Sequence, residues 1–144
     1  MNKRLCEESE WLLTKDAYDI YKQCLYKKSY EDYKGIINAY MGNENMKIYC
    51  CEAEDKKAGI IALSVSEAGK AEILGIAVCD HLKKCGIGTF MIRESAKALN
   101  LKRIIAETDD DAVAFYKAME FSITKEIKQY DNGAVARYHC VRSL

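Results

Sequence analysis

Apolar side chains in the first third of the chain recur at spacings of three and four residues, which is typical of helices that bury one face. The pattern predicts one helix between residues 8 and 27 and a second helix after Ser29. Ser29 is a favourable N-cap because Asp32 follows three residues later, and Gly42 supplies the end of this helix. Residues 3–6 are expected to form a short edge strand.

Short apolar runs in the middle of the chain predict strands. Residues 46–52 and 58–65 flank a charged turn and are expected to form an antiparallel hairpin. Residues 72–78 continue the sheet after a turn over residues 66–70. The sequence therefore predicts three consecutive antiparallel strands.

A helix and further strands follow. An apolar face from about residue 88 to residue 99 predicts a helix that leads to a strand at residues 103–107, so the order predicts a right-handed crossover between parallel strands. Asp110 or Asp111 is expected to cap a short helix. A last hairpin is expected from residues 121–130 and 134–141, around a turn at residues 131–133.

The segment between the strand at 72–78 and the next helix carries a candidate binding site. It places Lys83 and Lys84 ahead of Gly86 and Gly88. The first N–H groups of a helix have no partner inside the helix, and glycines let a ligand approach the backbone closely. A strand that enters such a cationic glycine turn is therefore predicted to bind phosphate.

Composition excludes several classes of function. The 144 residues fit one domain, and the 22 basic residues equal the 22 acidic residues, so the basic excess typical of nucleic-acid binders is missing. No apolar run approaches the roughly 20 residues that span a bilayer. The acidic N-terminal segment does not resemble a secretory signal. We expect a cytoplasmic protein with no membrane or nucleic-acid partner.

The seven cysteines do not indicate a metal site or a disulfide framework. Their number is odd, no CxxC pair occurs, and His81 and His139 are not spaced as metal ligands. We expect reduced, mostly buried thiols and no metal.

Six of the ten tyrosines lie in the helical first third: Tyr18, Tyr21, Tyr26, Tyr30, Tyr33 and Tyr40. Two interpretations stay open. The rings could sit at the edge of the core with the hydroxyl groups reaching solvent, or they could form an aromatic wall of an acceptor pocket.

The glycine loop, read with two further motifs, resembles the GNAT superfamily of N-acetyltransferases. The loop reads KKCGIG after the strand ending IAV, where the family has Arg/Gln-x-x-Gly-x-Gly/Ala. The segment DDDAVAFYKAMEF is similar to the family's Asn-x-x-Ala-x-x-x-Tyr-x-x-x-Gly-Phe, with Tyr116 at the tyrosine position. The AEIL at the head of the strand resembles the Ala-Glu-Ile of histone-type members. Lys83, Asp109 and Glu120 depart from the family pattern.

This resemblance implies an α/β (α+β) fold with a mixed, mostly antiparallel twisted sheet of about six to seven strands, a central parallel pair splayed around the cofactor and about four helices. It implies one acetyltransferase domain over residues 1–144, with a helical acceptor side at 8–42, a sheet core and CoA loop at 46–107 and a C-terminal helix and hairpin at 108–144. The cosubstrate would be acetyl-CoA, held by Ile76, Ala77, Val78, Lys83, Lys84, Cys85, Gly86, Ile87, Gly88, Thr89 and Asp109.

The resemblance also implies catalytic roles. Glu72 would be the general base for a primary amine, since an alkylammonium is mostly protonated at neutral pH and must lose a proton to attack. Glu107 or water is the alternative base. The N–H of Val78 would stabilise the acetyl oxygen, and Tyr116 would protonate or hold the leaving thiolate.

Two functions remain to be compared. The first is an N-acetyltransferase for a small-molecule or peptide amine that works by direct attack in a ternary complex. The second, suggested by the departures at Lys83, Asp109 and Glu120, is a module of the same fold that binds acyl-CoA as a sensor or scaffold without turnover. The final hairpin could also pair across a homodimer.

Overall fold

The computed structural model describes residues 1–66 and 69–144, which contain seven strands and five α-helices. The strands are β1 (Lys3–Cys6), β2 (Met46–Ala53), β3 (Lys56–Ser66), β4 (Lys70–Val78), β5 (Arg103–Thr108), β6 (Ser122–Tyr130) and β7 (Gly133–Ser143). The helices are α1 (Ser9–Leu12), α2 (Lys15–Tyr21), α3 (Tyr30–Met41), α4 (Ile87–Ala98) and α5 (Val113–Ala118).

The strands form one sheet in the order β1-β2-β3-β4-β5-β7-β6. All neighbours are antiparallel except β4 and β5, which are parallel on either side of α4 in the chain. The predicted mixed, mostly antiparallel sheet with a central parallel pair is confirmed. The predicted turn over residues 66–70 includes Glu67 and Ala68, which lie outside the described residues.

Each face of the sheet is covered by helices with its own core. Helices α1, α2 and α3 bury Leu12, Tyr33 and Ile37 against one face, whereas α4 and α5 bury Met91 and Tyr116 against the other. Among the described residues, no helix combines the length and the apolar character that crossing a membrane requires.

The prediction of one helix between residues 8 and 27 is wrong, because Thr14 interrupts it. Thr14 has an extended backbone (φ −83°, ψ 162°), and its hydroxyl oxygen accepts the N–H of Ala17 as the N-cap of α2. A 3₁₀ turn at Lys22–Cys24 follows α2. The apolar spacing continues across the break and therefore hides it. The prediction for α3 is confirmed, since Ser29 and Asp32 form a capping box and Gly42 is the C-cap.

Four of the six tyrosines in this helical region do not follow the solvent-facing interpretation, whereas Tyr26 is 82% exposed. The Tyr33 hydroxyl donates to the Leu12 carbonyl at 2.6 Å, and the Tyr30 hydroxyl donates to the Leu13 carbonyl at 2.7 Å. The Tyr18 hydroxyl likewise donates to the main chain, and Tyr21 is 2% exposed. The phenols of Tyr18, Tyr30 and Tyr33 hold this helical region together, because each hydroxyl donates to a backbone carbonyl.

A β-bulge in β4 shapes the centre of the sheet. Ala62 of β3 pairs with Gly75, and Leu63 pairs with Ile73, so Leu74 is an extra residue without a partner on β3. The pairing of β4 with β5 also ends at Ile73. From the bulge onward the two parallel strands separate, and a gap opens between them.

Candidate active site

The edge of β4 that faces the gap presents its backbone polar groups. The Gln23 amide donates to the Val78 carbonyl at 3.0 Å, and the Cys24 thiol donates to the Ile76 carbonyl at 3.3 Å. The N–H and C=O of one strand residue point to the same edge, so the N–H of Val78 also faces the gap. Burial raises the pKa of the Cys24 thiol to about 11, and the thiol is therefore a neutral donor.

The glycine loop lies at the N-terminus of α4. Gly86 is the N-cap in the left-handed conformation (φ 81°), which glycine adopts without strain, and no side chain caps the helix. The first intrahelical bond runs from the Phe90 N–H to the Gly86 carbonyl. The preceding N–H groups of the first turn are therefore free to bind an anion. A Cβ atom on Gly88 would lie only 3.0 Å from the Phe115 ring, so a larger residue there would require this ring to move by a few tenths of an ångström.

A cavity of about 600 Å³ connects the glycine loop with the strand edge. Eight of the eleven residues predicted to bind the cofactor line it: Ile76, Val78, Lys83, Lys84, Gly86, Ile87, Gly88 and Thr89. The sequence did not indicate the other lining residues, among them Gln23, Leu82, Asp111 and Phe115. Gln23 comes from a helix distant in sequence, and only the packing of α2 on β4 places it here.

Three residues predicted to bind the cofactor do not line this cavity. Ala77 faces the core beneath α2, and Cys85 is exposed on the loop. The Asp109 carboxylate accepts the N–H groups of Asp111 and Ala112 at 3.0 and 3.2 Å. It therefore organises the turn before α5. The expectation that Asp110 or Asp111 caps this helix is wrong, because the N-cap of α5 is Ala112 and no described side chain caps it.

Tyr116 of α5 lines the cavity and is 5% exposed. Its ring packs edge-on against Phe115 and Phe121, with centroids 5.1 and 5.3 Å away. Burial raises the pKa of the phenol well above its ordinary value, with smaller contributions from Cys140 and Cys24. The phenol therefore stays protonated throughout the neutral range.

Glu72 and Glu107 lie on the opposite face of the sheet from this cavity. Glu72 pairs in register with Ile105 of β5, and Glu107 lies two residues further along the same strand, so both carboxylates share the face covered elsewhere by α1 to α3. Glu72 lines a separate cavity of about 350 Å³ with His139. Glu107 pairs with Lys128 at 3.6 Å.

In the described part of the chain, one group of potential metal ligands lies within 4.8 Å of one another, namely Cys6, Glu8 and Cys50. The Glu8 carboxylate is bound to the Lys57 ammonium at 2.6 Å. Burial is the main cause that raises the pKa of both thiols, which disfavours the thiolates that a metal requires. The geometry of this group therefore does not favour a metal.

Solved structures share this architecture. The chain resembles a ribosomal-protein-S18-alanine N-acetyltransferase from Escherichia coli (TM-score 0.74, 16% identity, 99% of this chain and 94% of the other). It also resembles a Bacillus subtilis acetyltransferase in complex with CoA (0.70, 23%, 99% and 98%) and a GNAT acetyltransferase from Elizabethkingia anophelis with acetyl-CoA bound (0.69, 19%, 99% and 99%).

A search of curated protein sequences finds no significant match. The sequence model of the acetyltransferase (GNAT) family, however, matches residues 13–121, which include the strand edge, the glycine loop and Tyr116. The chain therefore belongs to the GNAT family of acetyltransferases.

Proposed function

We propose that this protein is an acetyl-CoA-dependent N-acetyltransferase that acetylates a primary amine by direct attack. The observation that carries the proposal is the single cavity that joins the N-terminus of α4 to the edge of β4 and a protonated phenol. The first feature suits a diphosphate, and the other two suit the acyl and leaving groups of a thioester. The membership of the chain in the GNAT family supports this assignment.

The residues of the loop fit the diphosphate of CoA. Gly86 and Gly88 leave the backbone accessible, and the free N–H groups and the α4 dipole favour an anion. Lys83 and Lys84 line the same end of the cavity and add positive charge. Acetyl-CoA bound there would supply an acetyl group activated as a thioester.

The strand edge has a separate task. The N–H of Val78 faces the gap and would stabilise negative charge that develops on the acetyl oxygen. Such donors act without reorganisation because the strand holds them in place, and removing one from an enzyme typically costs about 10²–10³ in rate. Ile76 contributes backbone groups along the same edge, where the extended part of the cosubstrate would lie.

Tyr116 would hold the departing thiolate of CoA by a hydrogen bond or donate a proton to it. Its raised pKa keeps the phenol protonated, so its O–H can donate a hydrogen bond to the sulfur as negative charge develops there. The aromatic contacts with Phe115 and Phe121 hold the ring in one orientation. Tyr116 is therefore the group that contacts the leaving sulfur in this proposal.

The amine would approach through the gap from the face that carries Glu72 and Glu107. Glu72 precedes Ile76 by four residues, or about 13 Å along the strand, so it would receive the proton through water. Glu107 lies beyond the last β4–β5 pair and is the second candidate base. The Escherichia coli neighbour is named as an N-acetyltransferase, which supports an amine acceptor.

The test is turnover with a panel of primary amines. Purified protein is incubated with acetyl-CoA and polyamines, amino acids, aminoglycosides or peptides with a free N-terminus, and acetylated products are measured by mass spectrometry. Tyr116→Phe should lower kcat by about 100-fold while the Kd for CoA changes little. CoA binding with no product from any amine, and no effect of Tyr116→Phe, would favour the non-catalytic acyl-CoA-binding module instead.

A further inference from the structure

Lys3 brings a third cation to the glycine loop from a distant part of the chain. It lies on the edge strand β1, where it pairs in register with Ala53 of β2. Its ammonium lies 5.6 Å from the ring centroid of Phe90, in the first turns of α4. It is also 3.9 Å from the position that a Cβ atom on Gly86 would occupy, and no other heavy atom outside the adjoining residues lies within 4 Å of that position.

The ammonium of Lys3 has no counter-charge among the residues that the structure describes. Its neighbours are paired, since Arg4 binds Glu52, Lys57 binds Glu8 and Glu52, and Lys83 binds Asp80. Lys3 is also half-buried. Its ammonium has no acidic partner among residues 1–66 and 69–144 and is therefore available to bind an anion.

The anion that fits is a phosphate at the adjoining helix terminus. The free N–H groups after Gly86 already favour negative charge, and Lys3 adds a full positive charge beside the same residue. Lys83 and Lys84 line the cavity wall, whereas Lys3 comes from the β1 side of the loop. A phosphate there would be held between cations from two separate segments.

We propose that Lys3 is a further CoA-binding residue whose ammonium binds a phosphate group of CoA at the start of α4. This inference rests on the proposed function, because it needs CoA to bind at the loop. The edge strand β1 then contributes to cofactor binding, a role that its sequence did not indicate. CoA carries two groups that could bind here, namely the diphosphate and the 3′-phosphate.

The test is calorimetric titration of the full chain with CoA and with 3′-dephospho-CoA. A charge-assisted hydrogen bond to phosphate predicts that Lys3→Gln weakens CoA binding by about 10-fold, with a smaller effect at high salt. Lys3→Arg should restore most of the affinity, since it keeps the charge. Lys102→Gln removes the same charge near the opposite end of α4 and should leave the Kd unchanged.

The two ligands separate the two phosphates. An equal loss for both ligands assigns Lys3 to the diphosphate, whereas a loss for CoA alone assigns it to the 3′-phosphate. Unchanged CoA affinity in a Lys3→Gln protein that unfolds at the wild-type temperature overturns the inference and leaves the proposed function standing. A wild-type protein that binds neither ligand overturns the proposed function and this inference together.

Discussion

Replacing Gly75 with alanine should destabilise the protein, because the place of the new Cβ atom is already filled. An ideal Cβ on Gly75 would lie 2.7 Å from Cζ of Tyr21, and the phenol oxygen of Tyr21 is closer still. The Tyr21 ring packs against the Tyr33 ring, with centroids 6.1 Å apart, and is 2% exposed. The ring has no room to turn away, so the backbone of the bulge or of α2 must move.

The size of the effect follows from the contact. Overpacking a buried site typically costs about 1–3 kcal/mol, and a contact with a rigid buried ring belongs in the upper half of that range. We expect Gly75→Ala to lower the free energy of unfolding by about 2–3 kcal/mol. For a chain of this size that loss corresponds to a decrease in Tm of about 6–12 °C.

Gly35→Ala is the matched control. Gly35 lies within α3, and a Cβ atom there would meet no heavy atom within 4 Å outside its own helix backbone. Alanine is a better helix former than glycine by about 0.8–1 kcal/mol, so this variant should be more stable than the wild type. The same substitution is therefore expected to have opposite signs at the two positions.

The assay is urea unfolding followed by circular dichroism, with Tyr21→Phe as the second member of a double-mutant cycle. Removing the hydroxyl relieves the closest contact, so adding Tyr21→Phe to the Gly75→Ala protein should recover about 1 kcal/mol. The reasoning would be refuted if Gly75→Ala had the same urea midpoint as the wild type. It would also be refuted if the effects of Gly75→Ala and Tyr21→Phe on the free energy of unfolding were additive.

Three further outcomes follow from the site and its surroundings. Gly86→Asp should abolish CoA binding in calorimetry, since a carboxylate would repel the diphosphate and strain the left-handed backbone; unchanged affinity would remove the loop from the site. Glu72→Gln should shift the acidic limb of the pH–rate profile, and an unaltered limb would transfer the role of base to Glu107 or water. Burial raises the pKa of Cys51 from 9.0 to about 11. Between these values the unfolded chain has lost a proton that the folded chain retains, so stability falls as pH rises. This thiol contributes at most about 3 kcal/mol to that fall. The urea midpoint of Cys51→Ala should therefore decline less than that of the wild type between pH 9 and pH 11.

The strands and the glycine loop could be predicted because their signals are local. The apolar runs of β2, β3 and β4 lie between turn residues, and the glycines and lysines of the loop are contiguous in sequence. The break at Thr14 could not be predicted in the same way, since the apolar spacing runs through it and only the backbone at the cap changes. A local pattern therefore indicates well which residues form a strand or helix, but it does not reveal where a helix is interrupted.

The residues that the sequence did not reveal reach the site through tertiary packing. Gln23 reaches the Val78 carbonyl across 55 positions of sequence, and Lys3 reaches Gly86 because β1 lies beside β2 at the sheet edge. Neither residue stands in a pattern that distinguishes it from a solvated side chain. Asp109 shows the reverse case, because a residue at a family motif position uses its carboxylate to cap a turn.

The extra residue in β4 explains why the candidate base and the cofactor cavity lie on opposite faces of the sheet. Side chains alternate along a strand, so Glu72 and Leu74 lie on the face of the sheet that carries α1 to α3, and without a bulge Ile76 would lie on that face as well. The unpaired Leu74 shifts the alternation by one, so that Ile76 lines the cavity below α4. Gly75 permits this shift because it has no side chain. The Tyr21 phenol occupies the space that a Cβ atom at this position would need. A cosubstrate can then occupy one face while an amine approaches from the other, and the two meet at the gap that begins where the bulge ends the pairing with β5.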